Sequence, residues 1–137
     1  MELKGHTSLV RSVAFSSDSS QIVSGSDDNS VRVWDVSMGR ELMKLEGHTS
    51  SVKAVAFSSD GMRIVSGSYD KSVRVWDGST GVELRKLEGH TGVVESVAIS
   101  SDGTRVVSGL SDKSVRVWDA STGAELMKLA TPDGSIR

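Results

Sequence analysis

With 137 residues, 36% of them hydrophobic, and a net charge of −2, the chain has the length of one domain but few residues to fill a single core. Lys and Arg are scattered between Asp and Glu, which leaves no basic stripe for nucleic acid and no basic amphipathic segment for a membrane surface. Cysteine is absent, excluding disulfides and thiolate metal sites, and no apolar run approaches the roughly 20 residues that span a bilayer.

In chain order, Met1-Glu2-Leu3-Lys4 lacks the basic and apolar regions of a signal peptide, so a soluble intracellular protein, cytoplasmic by default, is expected. From Gly5 onward one unit is written three times. Gly5-His6, Gly47-His48 and Gly89-His90 open the copies, and Trp34-Asp35, Trp76-Asp77 and Trp118-Asp119 recur 42 residues apart. The units run 5–46, 47–88 and 89–130. Each is thin and rich in Ser and Gly, so burial has to come from stacking one unit on the next.

The middle copy shows the elements. SVKAVAFS (Ser51–Ser58) alternates apolar and polar residues with the period of a half-buried strand. Ser59-Asp60-Gly61 then supplies a turn, with Asp for a local backbone bond and Gly for positive φ. RIVSGS (Arg63–Ser68) is a second strand, followed by a turn at Tyr69-Asp70-Lys71-Ser72. VRVWD (Val73–Asp77) is a third, made of β-branched and aromatic residues. After the GSTG turn (Gly78–Gly81), VELRKL (Val82–Leu87) has a composition that permits helix, but it is short for one and is closed by Gly89. A charged outer strand is expected, of the kind that discourages edge pairing. Beyond the third copy, Gly134-Ser135-Ile136-Arg137 aligns with Gly92-Val93-Val94-Glu95 while the Gly-His is lost at Thr131-Pro132. Residues 131–137 therefore read as the eroded start of a fourth copy.

Gly-His, then VSGS, then SVRVWD at this spacing resembles the WD-repeat (β-transducin repeat) family of β-propeller proteins. The resemblance implies an all-β fold of three four-stranded antiparallel blades, near Leu9–Leu45, Val52–Leu87 and Val94–Leu129. No cofactor is expected.

Each copy also carries His, Ser, Asp and Trp in one order: His6/Ser24/Asp28/Trp34, His48/Ser66/Asp70/Trp76 and His90/Ser108/Asp112/Trp118. Ser, His and Asp together suggest a hydrolase triad. A structural reading is favoured: a buried indole N–H needs an acceptor, a Ser hydroxyl can accept it and donate onward to His, and Asp can orient the His. The family resemblance implies the same chain of bonds. Ser26 lies on the same strand face as Ser24, and either hydroxyl could serve. The three His fall on separate units, too far apart for a shared zinc, and no phosphate loop, nucleophile elbow or HExxH pattern occurs. No enzyme and no metal site are expected.

The copies differ most informatively in three places. Leu9, Ser51 and Val93 follow the Gly-His-Thr loop, Arg11, Lys53 and Glu95 begin the innermost strand, and Asp27, Tyr69 and Ser111 precede the Asp of the second turn. The resemblance places all three around the channel mouth, where protein or peptide partners dock. Free drift of exposed positions would give the same divergence. Differences such as Met38/Thr80/Thr122 and Met43/Arg85/Met127 read as surface drift on peripheral turns and outer strands.

Three blades do not close a propeller. The two end faces would expose apolar surface that matches head to tail, so self-association is expected, with two chains giving six blades or three giving nine. The expectation is a non-catalytic binding scaffold closed in this way. The alternative is a self-assembling structural module, engineered or cut from a longer WD-repeat protein, without a selected ligand.

Overall fold

The computed structural model describes residues 3–130 and places twelve strands in them, four to each copy. In the first copy β1 (Val10–Phe15), β2 (Gln21–Ser26), β3 (Val31–Asp35) and β4 (Arg40–Leu45) pair in sequence order, each antiparallel to the next. The second sheet is β5 (Val52–Phe57), β6 (Arg63–Ser68), β7 (Val73–Asp77) and β8 (Glu83–Leu87). The third is β9 (Val94–Ile99), β10 (Arg105–Leu110), β11 (Ser114–Asp119) and β12 (Glu125–Ala130). The segment whose composition also permits helix is strand β8, paired with β7. The tail read as an eroded fourth copy, 131–137, lies outside the described residues.

Local chemistry accounts for the turns. Between β5 and β6 the Ser58 hydroxyl donates to Asp60 Oδ1 at 2.6 Å, the Met62 N–H donates to the same oxygen at 2.9 Å, and Gly61 takes φ +73°. The first copy has Ser19 at the equivalent position, held at φ +61° where glycine would fit without strain.

The cores lie between sheets, not within them. Val23, Val31, Val33 and Leu45 of the first sheet pack against Val52, Val55, Ile64 and Trp76 of the second. Val65, Val73, Val75 and Leu87 of the second pack against Val94, Val106, Trp118 and Ala120 of the third. A sheet this thin has no inside, so the valines of β2 and β3 are dry only because the next sheet covers them. Met43, read from sequence as surface drift, is half-buried against the first of these cores, where the next sheet reaches it. Arg85, in the same class, crosses to the third sheet and donates through Nε to the Ser121 carbonyl at 2.9 Å. Both are joint residues.

The arc is open. At one end Val10, Val13 and Phe15 of β1 are 49%, 65% and 61% exposed. At the other end Leu129 is half exposed, whereas Leu45 and Leu87 are buried.

Candidate functional site

In the first two sheets the His, Ser, Asp and Trp side chains form one relay. The Trp34 indole N–H donates to Ser24 Oγ at 2.8 Å, and Ser24 Oγ lies 2.6 Å from His6 Nε2. Because indole only donates, the Ser hydroxyl hydrogen is free to go to Nε2. That leaves the proton on Nδ1, which donates to Asp28 Oδ2 at 2.9 Å. The second sheet repeats this with Trp76 to Ser66 at 2.8 Å, Ser66 to His48 at 2.6 Å and His48 to Asp70 at 2.8 Å.

Ser26 has a different role from Ser24. Its hydroxyl donates to the Leu9 carbonyl at 2.8 Å and accepts from the Asp28 N–H at 3.1 Å, holding the loop and the Asp turn together. Ser68 does the same with the Ser50 carbonyl and the Asp70 N–H.

Burial of Asp28 works to raise its pKa. Hydrogen bonds from the Ser30 hydroxyl and His6, and from the backbone N–H groups of Ser30 and Thr7, outweigh it and hold the carboxyl well below the ordinary range. Asp70 is held low against its own burial by His48, Ser72 and the Thr49 N–H. These are ionised anchors. The Ser24, Ser66 and Ser108 residues are at most 3% exposed, each hydroxyl wedged between an indole and an imidazole. A hydrolytic nucleophile must reach a carbonyl carbon, whereas each of these hydroxyls is already engaged by an indole on one side and an imidazole on the other.

The third sheet departs from this pattern. Trp118 still donates to Ser108 at 3.1 Å and His90 Nε2 lies 3.0 Å from that hydroxyl. Asp112, however, binds the hydroxyls of Thr91 and Ser114, and His90 Nδ1 is buried without a partner. The imidazole has moved over the indole, with centroids 4.7 Å apart against 5.9 and 6.2 Å in the first two sheets. Leu110 stands where Ser26 and Ser68 stand, so nothing ties the Asp112 N–H as those hydroxyls tie Asp28 and Asp70. Asp112 is correspondingly more open, its side chain 23% exposed against 7% and 6%.

Sequence reasoning passed over Arg32, Arg74 and Arg116. Each is nearly buried in the first half of its third strand and reaches a Glu of the fourth: Arg32 to Glu41 at 2.6 Å, Arg74 to Glu83 at 2.7 Å and Arg116 to Glu125 at 3.0 Å. Each also lies 3.8–3.9 Å from the relay Asp of its own sheet. A cation repeated between two valines in every copy was the available signal.

The divergent positions meet at one end of the sheets. The Asp27 N–H donates to the Leu9 carbonyl at 2.8 Å, Tyr69 to Ser51 at 2.9 Å and Ser111 to Val93 at 3.0 Å, so two of the three sets touch in every sheet. The third set occupies a register break. Pairing of the first strand with the second skips one residue, at Arg11, Lys53 and Glu95 respectively. A bulge there turns those side chains out of the ladder. Arg11 clamps Asp27 through Nε at 2.9 Å and Nη2 at 2.6 Å, and this hydrogen-bonded pairing holds the Asp27 carboxyl low. The Lys53 ammonium lies 4.2 Å over the Tyr69 ring. Ser51 of the second copy also acts to lower the Asp27 carboxyl, which links the first sheet's positions to the second's. Leu9 and Glu95 are exposed.

Among the described residues no cluster of His, Asp or Glu could hold a metal ion, and no helix is long and apolar enough to cross a membrane. Comparison with known proteins finds the family described as WD domain, G-beta repeat at residues 1–35, 39–77 and 81–119. The vegetative incompatibility protein HET-E-1 of Podospora anserina is 51% identical over 37 residues, 27% of this chain and 3% of that protein. The ribosome biogenesis protein BOP1 homolog of Drosophila erecta is 48% identical over 40 residues, 29% and 5% respectively. Two solved structures, of U3-55K and of the RRP9 WD40 repeats, each match with a TM-score of 0.90 and 29% identity over 94% of this chain and 41% of theirs. The chain thus spans less than half of the structures it resembles and a small fraction of the curated relatives. With three family matches covering most of its length, on three four-stranded antiparallel sheets, the chain belongs to the WD40 repeat family of β-propeller proteins.

Proposed function

We propose that this chain is a non-catalytic scaffold that binds a protein or peptide on the loop face formed by Leu9, Arg11, Asp27, Ser51, Lys53, Tyr69, Val93, Glu95 and Ser111, and that self-association completes its propeller. WD40 membership supports a binding role. The observation that carries the face is the bulge at Arg11, Lys53 and Glu95, which sets the most divergent side chains outward beside the exposed Tyr69. Tyr and Arg are over-represented among residues that dominate binding energy. The Arg11–Asp27 clamp and the Lys53–Tyr69 contact hold these groups in place before a ligand arrives, which lowers the ordering cost of binding. An intracellular, cytoplasmic location belongs to the same reading, in keeping with a cysteine-free chain.

A random peptide library selected on the immobilised chain tests the face. An enriched peptide should lose at least about tenfold in affinity with Tyr69→Ala or Arg11→Ala and keep its affinity with Met38→Ala on a peripheral turn. If no peptide is enriched, or binding survives both changes, the scaffold reading fails and a purely structural module remains.

A further inference from the structure

The two joints inside the chain are built alike, and both hinge on a glycine. A Cβ added to Gly25 of β2 would lie 2.6 Å from Val52 Cγ1 and 3.0 Å from Val55 Cγ1 of the next sheet. One added to Gly67 of β6 would lie 2.5 and 2.8 Å from the same atoms of Val94 and Val97. Each glycine is a socket, and two valines of the following first strand are the knobs. Gly109 of β10 holds the equivalent place, but an added Cβ there meets only the rotatable hydroxyl of Ser96 at 2.6 Å. Its socket is unfilled among the described residues. The matching knobs, Val10 and Val13, stand in the open at the other end of the arc.

We infer that a second copy of this chain docks head to tail on the third sheet, with its Val10 and Val13 entering the space beside Gly109. This rests on the reading that self-association completes the propeller, and it names the joint. The second copy's first sheet covers Val107, Val115, Val117 and Leu129, whose counterparts in the first two sheets are buried to 1% exposure or less.

Two polar features match the third sheet to the chain's own first sheet. At the first joint the Val55 N–H donates to Ser12 Oγ at 3.2 Å. Ala54 has no hydroxyl to repeat this at the second joint, but Ser96 restores it on the third sheet, positioned for the second copy's Val13 N–H. Along the turns, the Ser17 hydroxyl donates to the Ser59 carbonyl at 2.7 Å, and the Ser59 hydroxyl to the Ser101 carbonyl at 2.5 Å. The Ser101 hydroxyl continues this ladder to Ser17 of the second copy. The two end faces differ from each other and fit each other, which is the condition for a heterologous interface that closes when the angle permits.

The test is sedimentation equilibrium of the full chain at micromolar concentration, with far-UV circular dichroism and indole emission to check folding. The wild type should be a discrete oligomer. Gly109→Ala should stay folded, since only Ser96 must rotate within the chain, and should weaken association by about 10- to 100-fold. Val10→Ala in the same chain makes room for the new methyl and should recover most of that loss. A chain carrying Gly109→Ala mixed with one carrying Val13→Asp should yield a pair joined once, because one good end of each kind remains. A monomeric wild type overturns both this joint and the self-association reading. A stable oligomer indifferent to Gly109→Ala, or no joined pair in the mixture, overturns the joint and leaves self-association standing by another surface.

Discussion

Asp112 and His90 do not meet, although the two residues equivalent to them are hydrogen-bonded at 2.9 Å in the first sheet and 2.8 Å in the second. Burial, with help from the positive charge of Arg116, pushes the His90 pKa down to about 4. The folded protein therefore keeps His90 neutral at a pH where the unfolded chain binds a proton.

The sign of the pH dependence follows. Stability contributed by neutral His90 is fully present above about 6.5, the ordinary value, and is lost progressively as pH falls to about 4. The low carboxyls of Asp28 and Asp70 contribute stability that is lost only at lower pH, below 3.8. Urea melts from pH 7 to pH 3 should show two declines, and His90→Gln should remove the upper one. A melt that stays flat between pH 6.5 and 4 in the wild type would sink this assignment.

The relay hydroxyls should differ in worth between sheets. Ser66→Ala strands the buried indole N–H of Trp76 and Nε2 of His48, at a cost of about 2–3 kcal/mol. Ser108 makes longer bonds to a His already lacking its Asp, so Ser108→Ala should cost about 1 kcal/mol less. Equal losses in urea unfolding would contradict the broken third relay.

Trp76→Ala should destabilise by about 3–5 kcal/mol, because the indole is part of the packed joint between the first and second sheets. A change under about 1 kcal/mol in the unfolding free energy would contradict that packing.

Ser19→Gly should stabilise the protein by up to about 1 kcal/mol. Ser19 sits at φ +61° where the other two copies place Gly61 and Gly103, both at φ +73°. The gain is the relief of backbone strain, reduced by the extra freedom glycine has in the unfolded chain. Thermal melting shows it as a raised midpoint; an unchanged or lowered one contradicts the strain.

Much of this was legible in the chain because it is local. Period-two alternation, Asp-Gly turns and a 42-residue recurrence specify strands, meanders and three units without reference to anything distant. The relay partners were legible as types, since an indole, a hydroxyl, an imidazole and a carboxylate form a complete donor–acceptor chain. The choice between Ser24 and Ser26 was not, because both face the same way and only the loop carrying Leu9 separates their roles. The failure at Asp112 left a trace, in that Leu110 replaces a serine, but the consequence needed the turn geometry.

The amino-acid order alone determined that this protein is three antiparallel four-stranded sheets with a shared internal chemistry, since hydrogen-bonded ladders and tight turns are set by neighbours a few residues away. Only the tertiary structure decided which residues of neighbouring sheets fill each joint, that Met43 is one of them, and that a bulge turns Arg11 outward. It also showed Gly25 and Gly67 to be filled sockets while Gly109 is open. The reason is that those properties depend on how close a second sheet comes. In a stack of repeated units the equivalent glycine is a socket or bare surface according to whether a neighbour stands beside it.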